Sequence, residues 1–517
     1  MPIINKFAKF YLQKIIGLAL PKDVIKYSVN RHREKIAVID QGRQITYGEL
    51  YKRAMKLANT LIGLGLNKGD KLGVLLYNCQ EYFEIRIAAY FTGIVLVPVI
   101  WDMELESIIL ILNSCEVKCL IYHSDILGDN LDEVKQKTGV KDYIAVPYGD
   151  SLLSENSDEP KIKIELDDIA SINFSSGTTG RSKGVCLSQA SWVGSFYNMI
   201  INAAPQAVKG ERTFLHILSL ATAGSTSFLT LFFVGARQII LKKYNTEECV
   251  DLIIKNGVNT IYASPCVITD IVEYIGEKNI KLGLSAIFAG TENFSPARFK
   301  EAIEIFGPII RRGYGMVECL PPISLISPEE YLKDGQIIGE KLRSCGKAAK
   351  GVNLKIVDAS LKEIEAGKIG RVALKSPSIS SGYWKEAALT ARHYRDGWFY
   401  SNDYGYLDRD GYLYIPGRID DKIETNRMPF FTGEIEDALN EYRAVKEACV
   451  IKAGNGRIVV AISLKKEYND TKAADIIEFC EKRLGKDETP QEIRILERLP
   501  KNASCKLDRQ AIKKIFA

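Results

Sequence analysis

The sequence has no CxxC pair, no histidine pair beside its cysteines and no concentrated block of lysine or arginine. Its eleven cysteines are scattered, and an odd number cannot all pair within one chain, so buried free thiols in a reducing, cytosolic setting are expected. Cys115 and Cys119 are spaced to share a helical face, but without further ligands they do not make a metal site. A net charge of +5 spread over 517 residues excludes nucleic-acid binding by charge alone. No internal repeat is present. Residues 217–236 carry no charge and approach membrane-spanning length, yet Ser219, Thr222, Gly224 and Thr230 interrupt the apolar surface. They read as a buried helix preceded by a loop near a pocket. The weakly basic, amphipathic segment Phe7–Leu18 is followed by no cleavage pattern and reads as a helix on the domain surface, weak peripheral membrane contact being the other reading.

What is present is a globular balance, 46% hydrophobic and 26% charged, on a chain long enough for roughly three domain-sized units or one enlarged core with a smaller domain. Thr46 and Glu49 form a capping box for a helix running toward Leu64, whose buried face is Leu50, Ala54, Leu57, Ala58 and Leu61. Gly73 to Tyr77 reads as a buried strand, followed by a helix from Tyr82 to Phe91, a helix from Leu105 to Leu112 and a strand from Val117 to Tyr122. Further strands are expected around Ile239, Ile261 and Ile287, and Ser295-Pro296 opens another helix. This alternation predicts a mostly parallel α/β architecture. From Asn353 to Lys375 the pattern turns β-rich. A boundary is expected beside Gly417-Arg418-Ile419-Asp420, followed by a small α+β unit with helices near 434–439 and 474–484 and a strand at 457–464.

The most informative segment follows the predicted strand Ala170–Phe174: Ser175-Ser176-Gly177-Thr178-Thr179-Gly180-Arg181-Ser182-Lys183-Gly184. Small residues let the backbone approach phosphate oxygens, hydroxyls and amides donate hydrogen bonds, and Lys183 supplies positive charge. The spacing is neither GxxxxGK[ST] nor GxGxxG, which sets it apart from the common NTP and dinucleotide loops.

This loop, with Gly290-Thr291-Glu292, Tyr314-Gly315-Met316-Val317-Glu318, Ser401-Asn402-Asp403, Arg418 and the terminal Pro500-Lys501-Asn502-Ala503-Ser504-Cys505-Lys506, resembles the adenylate-forming superfamily of acyl-CoA synthetases, carrier-protein-loading domains and luciferases. The resemblance covers nearly the whole chain and implies an AMP-forming ligase that turns a carboxylic acid, Mg²⁺ and ATP into acyl-AMP and pyrophosphate. It implies a large domain, 1–416, that binds ATP and acid, a hinge at 417–420 with Asp420 as pivot, and a mobile lid, 421–517. By the same resemblance, Thr178, Thr179 and Lys183 serve the β- and γ-phosphates, and Gly290, Thr291 and Glu292 line the adenine site. Tyr314 packs on adenine beside Gly315, Glu318 helps to hold Mg²⁺, Asp403 takes the ribose hydroxyls, Arg418 approaches the nucleotide, and Lys506 meets the carboxylate and α-phosphate. Two departures stand out: Val317 lacks the threonine hydroxyl frequent there, and Cys505 replaces a glycine, at a cost in backbone freedom.

The acid pocket is expected to draw on His216, Ile217, Ser219, Ala263, Cys319 and Leu320. Ile217 stands where members that read an ortho-hydroxybenzoate commonly have asparagine, so an aryl acid without that group, or a medium acyl chain, is favoured. The implied acceptor is the pantetheine thiol of CoA or of an acidic carrier protein. Arg427 aligns with a glycine that commonly borders the pantetheine tunnel; it either grips CoA or carrier phosphate and acidic groups, or points outward. A non-thiol acceptor, or an ATP-binding carrier partner without turnover, is the alternative.

Overall fold

The computed structural model describes residues 19–174, 183–203, 211–423, 430–453 and 457–516. The segment Phe7–Leu18, the loop positions Ser175, Ser176, Gly177, Thr178, Thr179 and Gly180, and Arg427 lie outside the described residues.

Among the described residues, two large sheets carry the N-terminal lobe. One has nine strands, with Ile310–Tyr314, Ala286–Ala289, Thr260–Ala263, Thr213–His216, Arg237–Ile240 and Ile36–Asp40 running parallel in that spatial order and antiparallel strands at both edges. The other has seven strands centred on Ile169–Phe174, Val95–Pro98, Lys71–Leu75 and Val117–His123. Parallel neighbours need crossovers, and the helices supplying them bury the sheet faces. An antiparallel five-stranded sheet, including Gly370–Lys375, Trp398–Leu407 and Leu413–Arg418, follows. The C-terminal lobe has a three-stranded sheet, Val445–Lys452, Ile458–Leu464 and Glu492–Ile495, packed by Thr432–Glu441 and Ala473–Leu484. The large α/β lobe, the β-rich part and the small α+β lobe are those expected.

Local chemistry explains the elements. In the helix Tyr47–Gly63, Thr46 Oγ1 accepts from Glu49 N at 3.2 Å and Glu49 Oε2 from Thr46 N at 2.9 Å, satisfying two orphan amides. Leu50, Ala54, Leu57, Ala58 and Leu61 are fully buried on its inner face. Ser295 caps Pro296–Phe306, with proline pre-set for the first turn.

Two expectations are corrected and a third is refined. The strand expected at 73–77 is Lys71–Leu75; the chain leaves the sheet early, and Asn78 then bonds the Leu218 carbonyl at 3.2 Å and the Leu220 amide at 2.8 Å. The stretch 217–236 holds, as expected, a loop and then a buried helix, the helix being the short Phe228–Phe233 entered through a turn at Ala223–Ser227. Gly224 fixes that turn, since a Cβ there would stand 2.4 Å from the Leu218 carbonyl oxygen. Cys115 ends the helix Leu105–Ser114 and Cys119 lies in the strand Val117–His123, so they share no helical face. The eleven thiols are free, ten of them buried, and no helix among the described residues is long and apolar enough to cross a membrane.

Candidate functional site

The carboxyl ends of the parallel strands point the chain into one cleft, where α/β folds gather ligands. Ala263, Ala289 and Tyr314 end adjacent strands. After Ala289, Gly290 lies against the neighbouring strands: a Cβ would meet Tyr262 Oη at 3.2 Å and the Gly313 carbonyl oxygen at 3.4 Å. Thr291 then takes φ +82°, an uncommon conformation for a β-branched residue, and its hydroxyl is buried with no hydrogen-bond partner among the described residues. The Glu292 carboxylate lies 2.9 Å from the Cys266 thiol.

Tyr314 donates to Asp403 Oδ2 at 2.5 Å, while Arg418 Nε stands 3.5 Å from Asp403 Oδ1. Asp403 and Arg418 are direct partners across two antiparallel strands, so the ladder register sets their pairing. Burial pushes the Asp403 carboxyl above the usual carboxylate range, with Arg418 and Tyr314 opposing. Gly315 permits the next turn, where a Cβ would stand 2.6 Å from Pro321 Cβ. Glu318 accepts from the Tyr383 hydroxyl at 3.0 Å, and burial raises its carboxyl as well. Cys319 and Leu320 are buried just beyond, tied to Ser378 through the Leu320 amide.

His216 lies behind this row rather than open to water. It is 1% exposed, its Nε2 is 3.0 Å from Gln238 Oε1, and its ring meets Phe83 and Phe214 at 5.4 and 4.9 Å. Burial pulls its pKa down to about 4, so the ring is neutral near pH 7. Ile217 and Ser219 follow it, both buried. Lys183 sits directly before the strand Gly184–Ser188.

The terminal loop closes the cleft. Asn502 N bonds the Lys506 carbonyl at 2.9 Å, curling the chain so that Cys505 takes φ +55°. The glycine-like conformation is therefore kept with a side chain in place, at a cost of about 1–2 kcal/mol. Ser264, the cap of the helix Pro265–Lys278, donates to the Cys505 carbonyl at 2.5 Å, and the Cys266 thiol lies 2.9 Å from the same oxygen. Lys506 is partly buried, and its ammonium is shifted down by burial while Glu292 opposes the shift. Among the described residues, the Lys506 loop of the small lobe thus meets Ser264, Cys266 and Glu292 of the large lobe. Asp420 lies in the exposed turn Ile419–Asp421, immediately after Arg418. Asn78, Cys266, Asp270 and Tyr383 also shape the site; only the cap formed by Ser264-Pro265 left a local signal, and the others act through partners far along the chain.

The family described as AMP-binding enzyme matches residues 25–384, and the family described as AMP-binding enzyme C-terminal domain matches residues 434–506. Among curated proteins, the 2-succinylbenzoate–CoA ligase of Bacillus cytotoxicus is 27% identical over 495 residues, covering 93% of this chain and 96% of that protein. The medium-chain fatty-acid–CoA ligase of Escherichia coli is 25% identical over 535 residues, covering 98% and 92%. Among solved structures, the amide bond synthetase McbA from Marinactinospora thermotolerans shares the fold with a TM-score of 0.83 at 18% identity, covering 96% of this chain and 100% of that one.

Proposed function

Because the chain belongs to the AMP-binding enzyme family, and so is an ATP-dependent enzyme that activates an acid as its adenylate, we propose that it acts on an aryl or medium acyl carboxylate and then passes the acyl group to a pantetheine thiol. The observation that carries this reading is the docking of the Lys506 loop over a cleft bounded by Glu292, Tyr314, Asp403 and Glu318.

In the first step a carboxylate oxygen of the acid attacks the α-phosphorus of ATP, the bond to the bridging oxygen breaks, and pyrophosphate leaves. Asp403 holds the ribose diol with its two acceptor oxygens, and Thr291 and Tyr314 border the base. Lys183 and the hydroxyls of Ser175–Thr179 serve the outgoing phosphates. Lys506 places a positive charge where negative charge grows between carboxylate and phosphate. Among the described residues no three His, Cys, Asp or Glu groups gather as a metal cage, which suits Mg²⁺, an ion ordinarily held by one or two carboxylates together with substrate phosphates. Glu318 is the carboxylate that would hold it, and the ion would offset phosphate charge.

In the second step the thiol sulfur attacks the acyl carbonyl carbon, AMP leaves with the bonding electrons, and the thiol proton passes to solvent. Residues 421–517 would turn about Asp420 relative to 1–416 to admit the thiol. The two curated relatives act by name on one aryl and one medium-chain acid with CoA, which supports both the acid classes and the acceptor. The buried, neutral His216 and Ile217 suit an apolar wall without an ortho-hydroxyl partner.

The test is acid-dependent ATP–pyrophosphate exchange with aryl and medium aliphatic acids, followed by CoA or a pantetheinylated carrier protein. Exchange with one of these classes and thioester on adding thiol is the expected result. Lys506→Ala should lower exchange by roughly 100-fold or more. ATP binding without exchange for any acid overturns the ligase reading; acyl-AMP that no thiol discharges overturns the acceptor.

A further inference from the structure

Asp270, on the helix Pro265–Lys278, receives two lysines from the C-terminal lobe, one on each carboxylate oxygen. Lys446 Nζ lies 3.1 Å from Oδ1 and Lys501 Nζ 2.6 Å from Oδ2. The Asp270 side chain is only 14% exposed, and Glu273 and Glu447 complete the cluster, 2.5 Å from Lys446 and 3.1 Å from Lys501. Lys501 belongs to the loop that carries Lys506. Farther along the seam Lys465 meets Glu301 and Lys466 meets Glu277, each at 2.8 Å. In this part of the seam the cross-lobe pairs run one way, with lysines on the C-terminal lobe and carboxylates on two helices of the large lobe.

Position in the seam ranks these pairs. Exposed pairs such as Lys466–Glu277 contribute little, because water and salt screen them. A mostly buried network is different, since removing one member leaves its partners desolvated and short of a counter-charge. Asp270 is the member that both lysines share across the seam, and its loss leaves Lys446 with Glu273 and Lys501 with the C-terminal lobe's own Glu447. The same helix also holds the loop by its other end, through the bond from Ser264 to the Cys505 carbonyl, and the Cys505 side chain joins the large lobe's core cluster, to which Val267 and Cys249 belong. One helix thus grips the loop on both sides of its turn.

We propose that Asp270 is the positioning residue that docks the Lys506 loop for adenylation, and that its two lysine contacts are the catch that must open before acyl transfer. This rests on the two-step cycle proposed above. Turning the C-terminal lobe away separates Asp270 from Lys446 and Lys501, whereas the Lys501–Glu447 pair travels with that lobe.

The test uses the full chain carrying Asp270→Asn. Cys505, a residue of the docked loop that is only 5% exposed, reports docking without catalysis, by its rate of alkylation with N-ethylmaleimide read at its own peptide by mass spectrometry. The expected result is labelling at least tenfold faster in Asp270→Asn, an intermediate gain in Lys446→Met, recovery in Asp270→Glu and no change in Glu277→Gln. In parallel, ATP–pyrophosphate exchange should fall at least tenfold while transfer from supplied acyl-adenylate to the thiol is unchanged or faster. Unchanged Cys505 labelling, or equal loss of both half-reactions, overturns the proposal. Should the wild-type chain form no adenylate, the cycle fails as a reading, and the labelling series still decides whether Asp270 holds the loop.

Discussion

The phenol of Tyr314 and the carboxylate of Asp403 share a 2.5 Å hydrogen bond across 89 residues of chain, and the opposite oxygen of the same carboxylate faces Arg418. A carboxylate so held is oriented before any ligand arrives, and its remaining lone pairs suit two hydroxyls of a diol. Desolvation works against its charge, and the phenol and guanidinium offset that.

Substituting Asp403→Asn removes the charge and one acceptor, and hydrogen bonds to charged groups contribute about 1.5–3 kcal/mol. The KM for ATP in the exchange assay should rise roughly 10- to 100-fold, at about 1.4 kcal/mol per decade, with the KM for the acid little changed. Tyr314→Phe keeps the ring and loses only the donor, so its effect should be smaller and in the same direction. Equal ATP KM values in Asp403→Asn and the wild type would remove the ribose role.

These residues were marked by resemblance to the adenylate-forming superfamily, carried by the order of short runs along the chain: an aromatic before a glycine turn, an acid ending a polar turn, a lysine closing a tight loop. The parallel sheets were legible from the local pattern, as buried apolar runs alternate with capped amphipathic helices. What could not be read is the set of side chains whose meaning lies in a distant partner. Asp270 is one acid on an amphipathic helix until Lys501, 231 residues later, is brought beside it. Asn78 looks like a turn residue until the loop at 218–220 folds over it. The early end of the strand Lys71–Leu75 belongs to the same effect, since tertiary contacts of Asn78 set where the sheet stops. His216 was expected in the acid pocket from the resemblance alone, and its packing against Phe83 and Gln238 depends on helix and strand positions that no local pattern encodes.

Asp437 gives a pH dependence for the seam between the lobes. It lies on the helix Thr432–Glu441, accepts from Asn293 Nδ2 at 3.1 Å and faces Arg343 at 3.9 Å. Burial pushes its pKa up to about 7 despite the opposing pull of Arg343 and Arg312. Between about pH 4 and 7 the folded chain holds this proton and the unfolded chain has released it, so this group's contribution to stability is full below about 4 and lost as pH rises through 7. Asp437→Asn removes the titration. Its Tm relative to the wild type should climb between pH 5 and 7 and level off above about 8. A difference in Tm that stays constant from pH 5 to 8.5 would show that Asp437 ionises without cost.

Thr291 carries two costs at one position: a backbone conformation unfavourable for a β-branched residue and a buried hydroxyl without a partner among the described residues. An unsatisfied buried polar group costs about 1–3 kcal/mol, and a strained φ adds to that. A hydroxyl so placed at the end of a strand, between Gly290 and Glu292, points to a partner that arrives with the nucleotide. Thr291→Val keeps the shape and discards the hydroxyl. The variant without nucleotide should then melt at or above the wild-type temperature, while the rise in Tm on adding ATP shrinks and the KM for ATP increases by about tenfold, the worth of one hydrogen bond. Thr291→Ser, which keeps the hydroxyl, should recover most of the ATP response. A Thr291→Val variant that loses stability without ATP and responds normally to it would mean that the hydroxyl serves the fold, and that the strain at this position is unrelated to the nucleotide.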